Sequence, residues 1–195
     1  MKRIKFFSFT MLLLAFSCTA SFAQKDKGLT PLAADATLAD TQAWLVKAIG
    51  KNSTFHLNGS KKSVSDVKFD GTKFTYTMYS ERMPGESPED ATPQDSDSNA
   101  REESGAQSSA TVFKMDMKDI DPDGVLLKPV PNVNKMSAII LQSMPGQNSI
   151  GITTPLKKKE TLATKPTASI IVKESVAEQV KAALEHLIKL SKAGS

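Results

Sequence analysis

Cysteine is nearly absent from this sequence: among its 195 residues, Cys18 is the only cysteine. A single cysteine cannot close a disulfide within one chain, so the stability of the fold must come from packing. Histidine is almost as scarce: only His56 and His186 occur, without a His-x-x-x-His, Gly-x-Ser-x-Gly or glycine-rich phosphate motif. The sequence therefore predicts no catalytic residues and no cofactor, and a hydrolase is the least favoured class that we keep.

The N-terminal apolar run is too short for a permanent membrane span. It covers residues 6–16, whereas a transmembrane helix needs about 20 apolar residues. Three basic residues, Lys2, Arg3 and Lys5, precede it and small residues follow it, which is typical of a secretory signal peptide. We therefore predict a signal peptide over residues 1–23, export to the periplasm or medium of a Gram-negative bacterium, and no transmembrane span in the mature chain.

Two processing sites compete at the end of this segment. Cleavage before Gln24 fits a small-x-small site and leaves a soluble mature chain. Lipoprotein processing would acylate Cys18 instead, but a lipobox has a large aliphatic residue three positions before the cysteine and a small one two before, where this chain has Ala15 and Phe16. Cleavage before Gln24 is the prediction, and an outer-membrane lipoprotein modified at Cys18 is the alternative.

The mature chain has no excess of positive charge. The full sequence has 25 basic and 21 acidic residues, and removal of the three basic residues of the signal leaves a net charge of +1. A nucleic-acid interface needs basic residues gathered on one face, and no basic motif interleaved with aromatic residues occurs. We therefore expect no nucleic-acid partner, and a protein, peptide or lipid ligand instead.

Residues 81–109 lack the side chains that form a core. They contain no Val, Ile, Leu or aromatic residue, and eight acids against two arginines give a net charge of −6. Such a segment cannot bury enough apolar surface to offset its ordering, so we predict a disordered acidic loop inserted into a single domain at 37–193. Residues 24–36 are predicted to be flexible, and the three lysines at 157–159 to lie in a surface loop.

Two segments combine a capping box with helical periodicity. Thr37 and Asp40 begin a helix that Gly50 is placed to end, and Ser175 and Glu178 begin a longer one. Apolar residues of the second segment recur at the 3.6-residue period: Val176, Val180, Ala183, Leu184, Leu187 and Leu190. Because this stripe must be buried, we predict that the C-terminal helix packs on a β structure.

The sequence between the helices alternates with a period of two. Strands are predicted at 64–69, 73–79, from 111 onward, and at 124–128, 137–142, 149–153 and 168–172. Asp70-Gly71 and Pro145-Gly146 are the predicted turns of two strand pairs. About seven strands without strand-helix alternation favour an antiparallel sheet over a parallel one.

Three segments together resemble an uncharacterised domain of exported bacterial proteins: residues 37–45 (TLADTQAWL), 118–122 (KDIDP) and 178–190 (EQVKAALEHLIKL). The strand order followed by a C-terminal helix is also similar to the pleckstrin-homology-like (PH-like) barrel. That likeness implies an α+β fold, in which a partly open antiparallel barrel carries an N-terminal helix and a C-terminal amphipathic helix. It implies a non-enzymatic binding or scaffold role without naming a ligand.

Asp119, Asp121 and Asp123 form the sharpest candidate for a metal site. Asp-x-Asp-x-Asp-Gly begins an EF-hand calcium loop, but position 12 is Val130, where a bidentate Glu is needed. The segment before the loop also alternates like a strand. Carboxylates in a turn can instead accept backbone N–H groups with no metal present, so calcium and a metal-free turn both stay open.

Trp44 is the second candidate. It lies on the flank of the first predicted helix, outside the apolar face of Leu38, Leu45 and Ile49. A tryptophan there either packs at the edge of the helix contact or lines a ligand groove. Packing is the favoured alternative, because buried aromatic residues are commoner than ligand-stacking ones.

Overall fold

The computed structural model describes residues 29–82, 108–156 and 159–194. The predicted signal peptide, Cys18 and the cleavage site before Gln24 lie outside these ranges, as do residues 83–107 of the predicted acidic loop. Among the described residues, no helix is both long and apolar enough to cross a membrane.

Nine strands lie within the described ranges, and they form two antiparallel sheets. The strands are β1 (Phe55–Leu57), β2 (Ser60–Asp70), β3 (Lys73–Arg82), β4 (Ser108–Asp116), β5 (Leu126–Pro129), β6 (Met136–Gln142), β7 (Ile150–Leu156), β8 (Lys159–Lys165) and β9 (Thr167–Lys173). The large sheet has the order β1-β2-β3-β4-β7-β8, and the small sheet has the order β5-β6-β9.

This arrangement confirms an α+β fold of antiparallel strands with an N-terminal and a C-terminal helix. The described strands do not form a closed barrel, because they make two separate sheets arranged as a partly open sandwich. The reason is the course of β7, which follows β6 in the sequence but pairs with β4 in the large sheet. The chain therefore crosses between the sheets instead of continuing around a barrel.

Two hairpin turns set the register of β1, β2 and β3, which are the first three strands in the order of the large sheet. Asn58 and Gly59 join β1 to β2 with φ angles of 49° and 67°, as a two-residue type I′ turn requires. This Asn-Gly dipeptide is the signal in the sequence that indicates β1, which was not predicted. The predicted Asp70-Gly71 turn lies one residue too early: Asp70 is still paired in β2, and Gly71 is the first loop residue, with a φ of 56°.

β8 was not predicted, although β7 and β8 pair along their whole length. Lys159 begins this strand, which corrects its assignment to a surface loop, while residues 157 and 158 lie outside the described ranges. The sequence of β8, KETLATK, has too little apolar alternation to be recognised as a strand. An edge strand needs few apolar side chains, because it has only one neighbour and is mostly solvated.

The predicted turn at Pro145-Gly146 forms, but it connects different elements. The Gln147 N–H donates to the Met144 carbonyl at 3.0 Å, and Gly146 has a φ of 79°, as in a type II turn. β6 and β7 on either side belong to different sheets, so they are not the predicted pair. The turn carries the chain from the small sheet to the large one.

Helix α1 (Leu38–Asn52) begins at the predicted capping box. The Thr37 hydroxyl accepts the Asp40 N–H at 3.2 Å, and the Asp40 carboxylate accepts the Thr37 N–H at 3.3 Å. The predicted end at Gly50 is wrong, because the helix continues for two more residues and Ser53 is the C-cap. Gly50 does not adopt a left-handed φ, so it does not terminate the helix.

Helix α2 (Glu174–Ala193) begins two residues earlier than predicted. The capping box at Ser175 does not form, and Lys173 is the N-cap without a side-chain hydrogen bond. The cause is the direct passage of β9 into the helix, where the Glu174 N–H donates to the Lys135 carbonyl at 2.8 Å. A tertiary hydrogen bond thus replaces the local cap.

Both helices and both sheets contribute to one hydrophobic core. The stripe predicted for α2 is confirmed, since all its members except Leu190 are at most 2% exposed. Leu45 and Ile49 of α1 are fully buried, and so are the inward side chains Ile139, Leu141, Ile170 and Val172 of the small sheet.

Tyr76 joins the two sheets within this core. Its ring centroid lies 4.8 Å from that of Phe113 and 5.4 Å from that of Phe74, both in the large sheet. Its hydroxyl donates to the Ser169 carbonyl of β9, in the small sheet, at 2.9 Å. Burial of this side chain raises the pKa of its phenol.

Replacing Leu187 tests the packing of α2. Because Leu187 is fully buried, Leu187→Ala is expected to lower the free energy of unfolding by about 2–5 kcal/mol, which denaturant titration measures. Glu185→Ala is the control on the same helix, because Glu185 pairs with Lys181 at 2.6 Å and both side chains are about 30% exposed. We expect this control to cost about 0.5 kcal/mol or less. Equal losses would contradict the burial of the stripe.

Candidate functional site

Asp119 is the last residue of a short 3-10 helix (Met117–Asp119), and Asp121 and Asp123 lie between that helix and β5. Asp121 Oδ1 accepts the Asp123 N–H at 3.0 Å, which is an Asx turn. The Asp119 carbonyl accepts the Met144 N–H at 2.9 Å. No three His, Cys, Asp or Glu side chains in the described parts of the chain form a group that could hold a metal ion. The observed geometry is that of a turn, and calcium binding stays a hypothesis.

Gly124 shows how tightly this turn is packed. A Cβ atom at this position would lie 2.9 Å from the Cβ atoms of both Asp121 and Gln142. The Gly124 N–H donates to the Asp121 carbonyl at 3.0 Å, and the Asp121 N–H donates to the Gln142 carbonyl at 2.9 Å. The backbone of Gly124 lies so close to β6 that a side chain would not fit, which explains why this residue is a glycine.

Trp44 contacts the segment that precedes α1. Its indole N–H donates to the Thr30 carbonyl at 2.7 Å, and its partly buried ring packs against the core. Leu29 and Leu32 of the same segment also pack against the core. The packing alternative accounts for these contacts, while the predicted flexibility of residues 24–36 concerns motion and stays a prediction.

The two histidines lie on different elements. His56 is exposed on β1, at the edge of the large sheet. His186 is partly buried on α2, where its Nε2 lies 2.9 Å from the Ala36 carbonyl oxygen. This contact ties the segment before α1 to α2, which is a structural role.

The outer face of the small sheet carries apolar side chains that are partly exposed to solvent. Alternation turns one set of residues away from the core, and we call the following six the small-sheet face: Leu126, Lys128, Ala138, Ile140, Ile171 and Lys173. Leu126 is 36% exposed, whereas Ala138, Ile140 and Ile171 are partly exposed and do not belong to the core cluster. An apolar surface therefore remains on this side of the molecule.

Lysines predominate among the charged residues around this surface. No acidic residue occurs between Asp123 and Glu160, so β5, β6 and the loop joining them contain lysines alone as charged residues. At one end of the face, an open groove of about 650 Å³ is lined by Asn134, Lys135, Met136, Lys173, Glu174 and Ser175. The small-sheet face is apolar at its centre and mainly basic at its edges. The long interval without acids is the signal in the sequence that could have revealed it.

A tyrosine and an aspartate are paired on the outer face of the large sheet. The Tyr79 hydroxyl donates to Asp66 Oδ2 at 3.0 Å, and the Ser65 hydroxyl donates to the same oxygen at 3.3 Å. Asp66 lies in a register shift of β2 with a φ of 51°, so a bulge directs its side chain toward Tyr79. The hydrogen bond and the negative charge of Asp66 raise the pKa of Tyr79.

The described residues form an open antiparallel α+β sandwich, and the outer face of each sheet carries exposed side chains. Comparison of the chain with protein-family models, with curated proteins and with solved structures gives no match. The functional argument therefore rests on these surfaces.

Two glycine substitutions test the packing of the Asp turn. Gly124→Ala is expected to destabilise the protein by about 1–3 kcal/mol, because the new Cβ requires backbone on one side to move. Gly50→Ala is the matched control: nothing lies within 4 Å of its Cβ position in the helix, so a gain of about 0.5–1 kcal/mol is expected. Thermal unfolding measures both, and a neutral Gly124→Ala would contradict the close approach.

Alkaline titration tests the contacts of the tyrosines, because Tyr76 and Tyr79 are the two tyrosines of the sequence. Both have a pKa raised above 10, so the phenolate absorbance should appear above the pH of free tyrosine. Asp66→Asn removes the negative charge, and it should move the Tyr79 transition toward pH 10. Tyr76→Phe isolates the Tyr79 signal and is the control. If the Tyr79 phenolate formed at the same pH in Asp66→Asn as in the protein with Asp66, that result would contradict the pairing.

Proposed function

We propose that this protein is an exported, non-enzymatic binding module, and that it binds an acidic protein segment on the small-sheet face. The observation that carries the proposal is the partly exposed apolar centre of that face among lysines. Exposed contiguous apolar surface on a folded domain is typical of a binding site. Leu126, Ile140 and Ile171 would supply the apolar contacts, and Lys128 and Lys173 would select the charge of the partner.

The composition of this region favours a protein partner over a membrane surface. Proteins that lie on a bilayer commonly insert Trp, Tyr or Phe at the interface. Residues 114–195 contain none of these three residue types, and the small-sheet face offers only aliphatic side chains of moderate exposure. An acidic segment with alternating apolar residues matches both the strand spacing and the charge.

The proposal includes the likeness to an uncharacterised domain of exported bacterial proteins and to PH-like barrels. A series of antiparallel strands that ends in a C-terminal helix supports the second likeness, although the sheets are open. Export follows from the predicted signal peptide at 1–23. An envelope-anchored structural lipoprotein is the alternative, and the intact mass of the mature protein separates a chain beginning at Gln24 from one acylated at Cys18.

A synthetic peptide of alternating Glu and Leu is a suitable probe for the small-sheet face. Amide shifts in an NMR titration are expected at residues 126–128, 138–140 and 171–173. Reversing both lysines, in Lys128→Glu/Lys173→Glu, should weaken binding at least about tenfold, because two attractive charges become repulsive. Affinity for the unchanged protein should fall as salt is added.

The matched control reverses two exposed lysines of α1, in Lys47→Glu/Lys51→Glu. It changes the net charge by the same amount and should leave peptide affinity within about twofold of the original. Equal losses in the two variants would mean that only net charge acts. Either this result or the absence of amide shifts on the small-sheet face would refute the proposal.

A further inference from the structure

A small cavity lies beside Tyr79, on the outer face of the large sheet. It has a volume of about 210 Å³ and is lined by Lys61, Ser63, Tyr79, Ser80, Glu81 and Ser108. The register places Ser63 opposite Tyr79, and Lys61 opposite Glu81, which faces Ser108 in turn. A space of this size holds several water molecules, so a small ring-shaped ligand can enter it.

The ring of Tyr79 is partly exposed to solvent. Tyr79 is 40% exposed, while Tyr76, three residues earlier, is fully buried on the other face of the strand. The hydrogen bond to Asp66 at 3.0 Å fixes the orientation of the exposed ring. The bulge that holds Asp66 at a φ of 51° costs backbone strain, so the position of this carboxylate is not a default of strand geometry.

The groups around the ring are polar and balanced in charge. Lys61 and Glu81 contribute one charge of each sign, and they make no ion pair with each other in the described part of the chain. Ser63 and Ser108 line the cavity, and a serine hydroxyl can both donate a hydrogen bond to a ligand and accept one from it. A site of this kind offers donors and acceptors without selecting for net charge.

We propose that this cavity binds one ring of a neutral saccharide. A pyranose has one face rich in C–H groups, which packs on an exposed aromatic ring, and hydroxyls around its edge. Tyr79 supplies the ring, while Ser63, Ser108, Lys61 and Glu81 supply hydrogen bonds to the hydroxyls. Asp66 is a positioning residue, because it does not line the cavity and acts by holding the Tyr79 hydroxyl.

NMR titration with neutral tetrasaccharides tests this proposal: maltotetraose, cellotetraose, laminaritetraose and the tetramer of N-acetylglucosamine. At least one should shift the amides of residues 61–63, 79–81 and 108. Tyr79→Ala should weaken that binding at least about tenfold, because the stacking surface is lost. Asp66→Asn should weaken saccharide binding less than Tyr79→Ala does, and it should also lower the pH at which the Tyr79 phenolate forms. If Asp66 only stabilised the fold, these two effects would not occur together.

Val46→Ala is the matched control, since Val46 is a 37% exposed apolar side chain on α1, away from the cavity. It should leave saccharide affinity unchanged, and the melting temperatures of all variants check that they fold. The proposal is overturned if none of the four sugars shifts these amides, or if Tyr79→Ala binds as tightly as the original. Because the cavity and the small-sheet face lie on different sheets, each result is independent of the peptide titration.

Discussion

The buried hydroxyl of Tyr76 is the constraint on which the arrangement of the two sheets depends. A hydroxyl in a fully buried position costs about 1–3 kcal/mol if it has no hydrogen-bond partner. Its partner is the Ser169 carbonyl of β9, an edge strand of the other sheet. The flanking aromatic rings of Phe74 and Phe113 hold the tyrosine in place, so one side chain sets where the small sheet lies against the large one.

The position of β9 in turn determines where α2 lies. The helix follows β9 without a loop, and the Lys135 carbonyl, in the segment leading into β6, accepts its first N–H group. The apolar stripe of α2 is thereby directed onto the inner side of the small sheet. Because strand side chains alternate, burying Ile139 and Ile170 leaves Ile140 and Ile171 on the opposite side, where both are partly exposed.

Each sheet therefore presents an outer face of different chemistry. The small sheet offers aliphatic side chains with lysines, which suits an acidic partner. The large sheet offers hydroxyls and an exposed tyrosine held by Asp66, which suits a neutral polyol. The two surfaces differ in chemistry, and we therefore propose a different class of ligand for each.

The sequence alone determined the elements whose signals are local. The capping box at Thr37 formed as predicted, and so did the stripe of α2 except for Leu190; strands also formed at the predicted positions of β3 and β4, although β4 begins earlier than predicted. The sequence also predicted antiparallel pairing, since no strand-helix alternation was present. Tertiary structure decided what depends on distant partners: the separation into two sheets, the edge strand β8, and the start of α2, where a hydrogen bond to Lys135 replaced a side-chain cap. The pairing of Tyr79 with Asp66 belongs to this second group, because 13 residues separate them and only the β2 bulge brings them together.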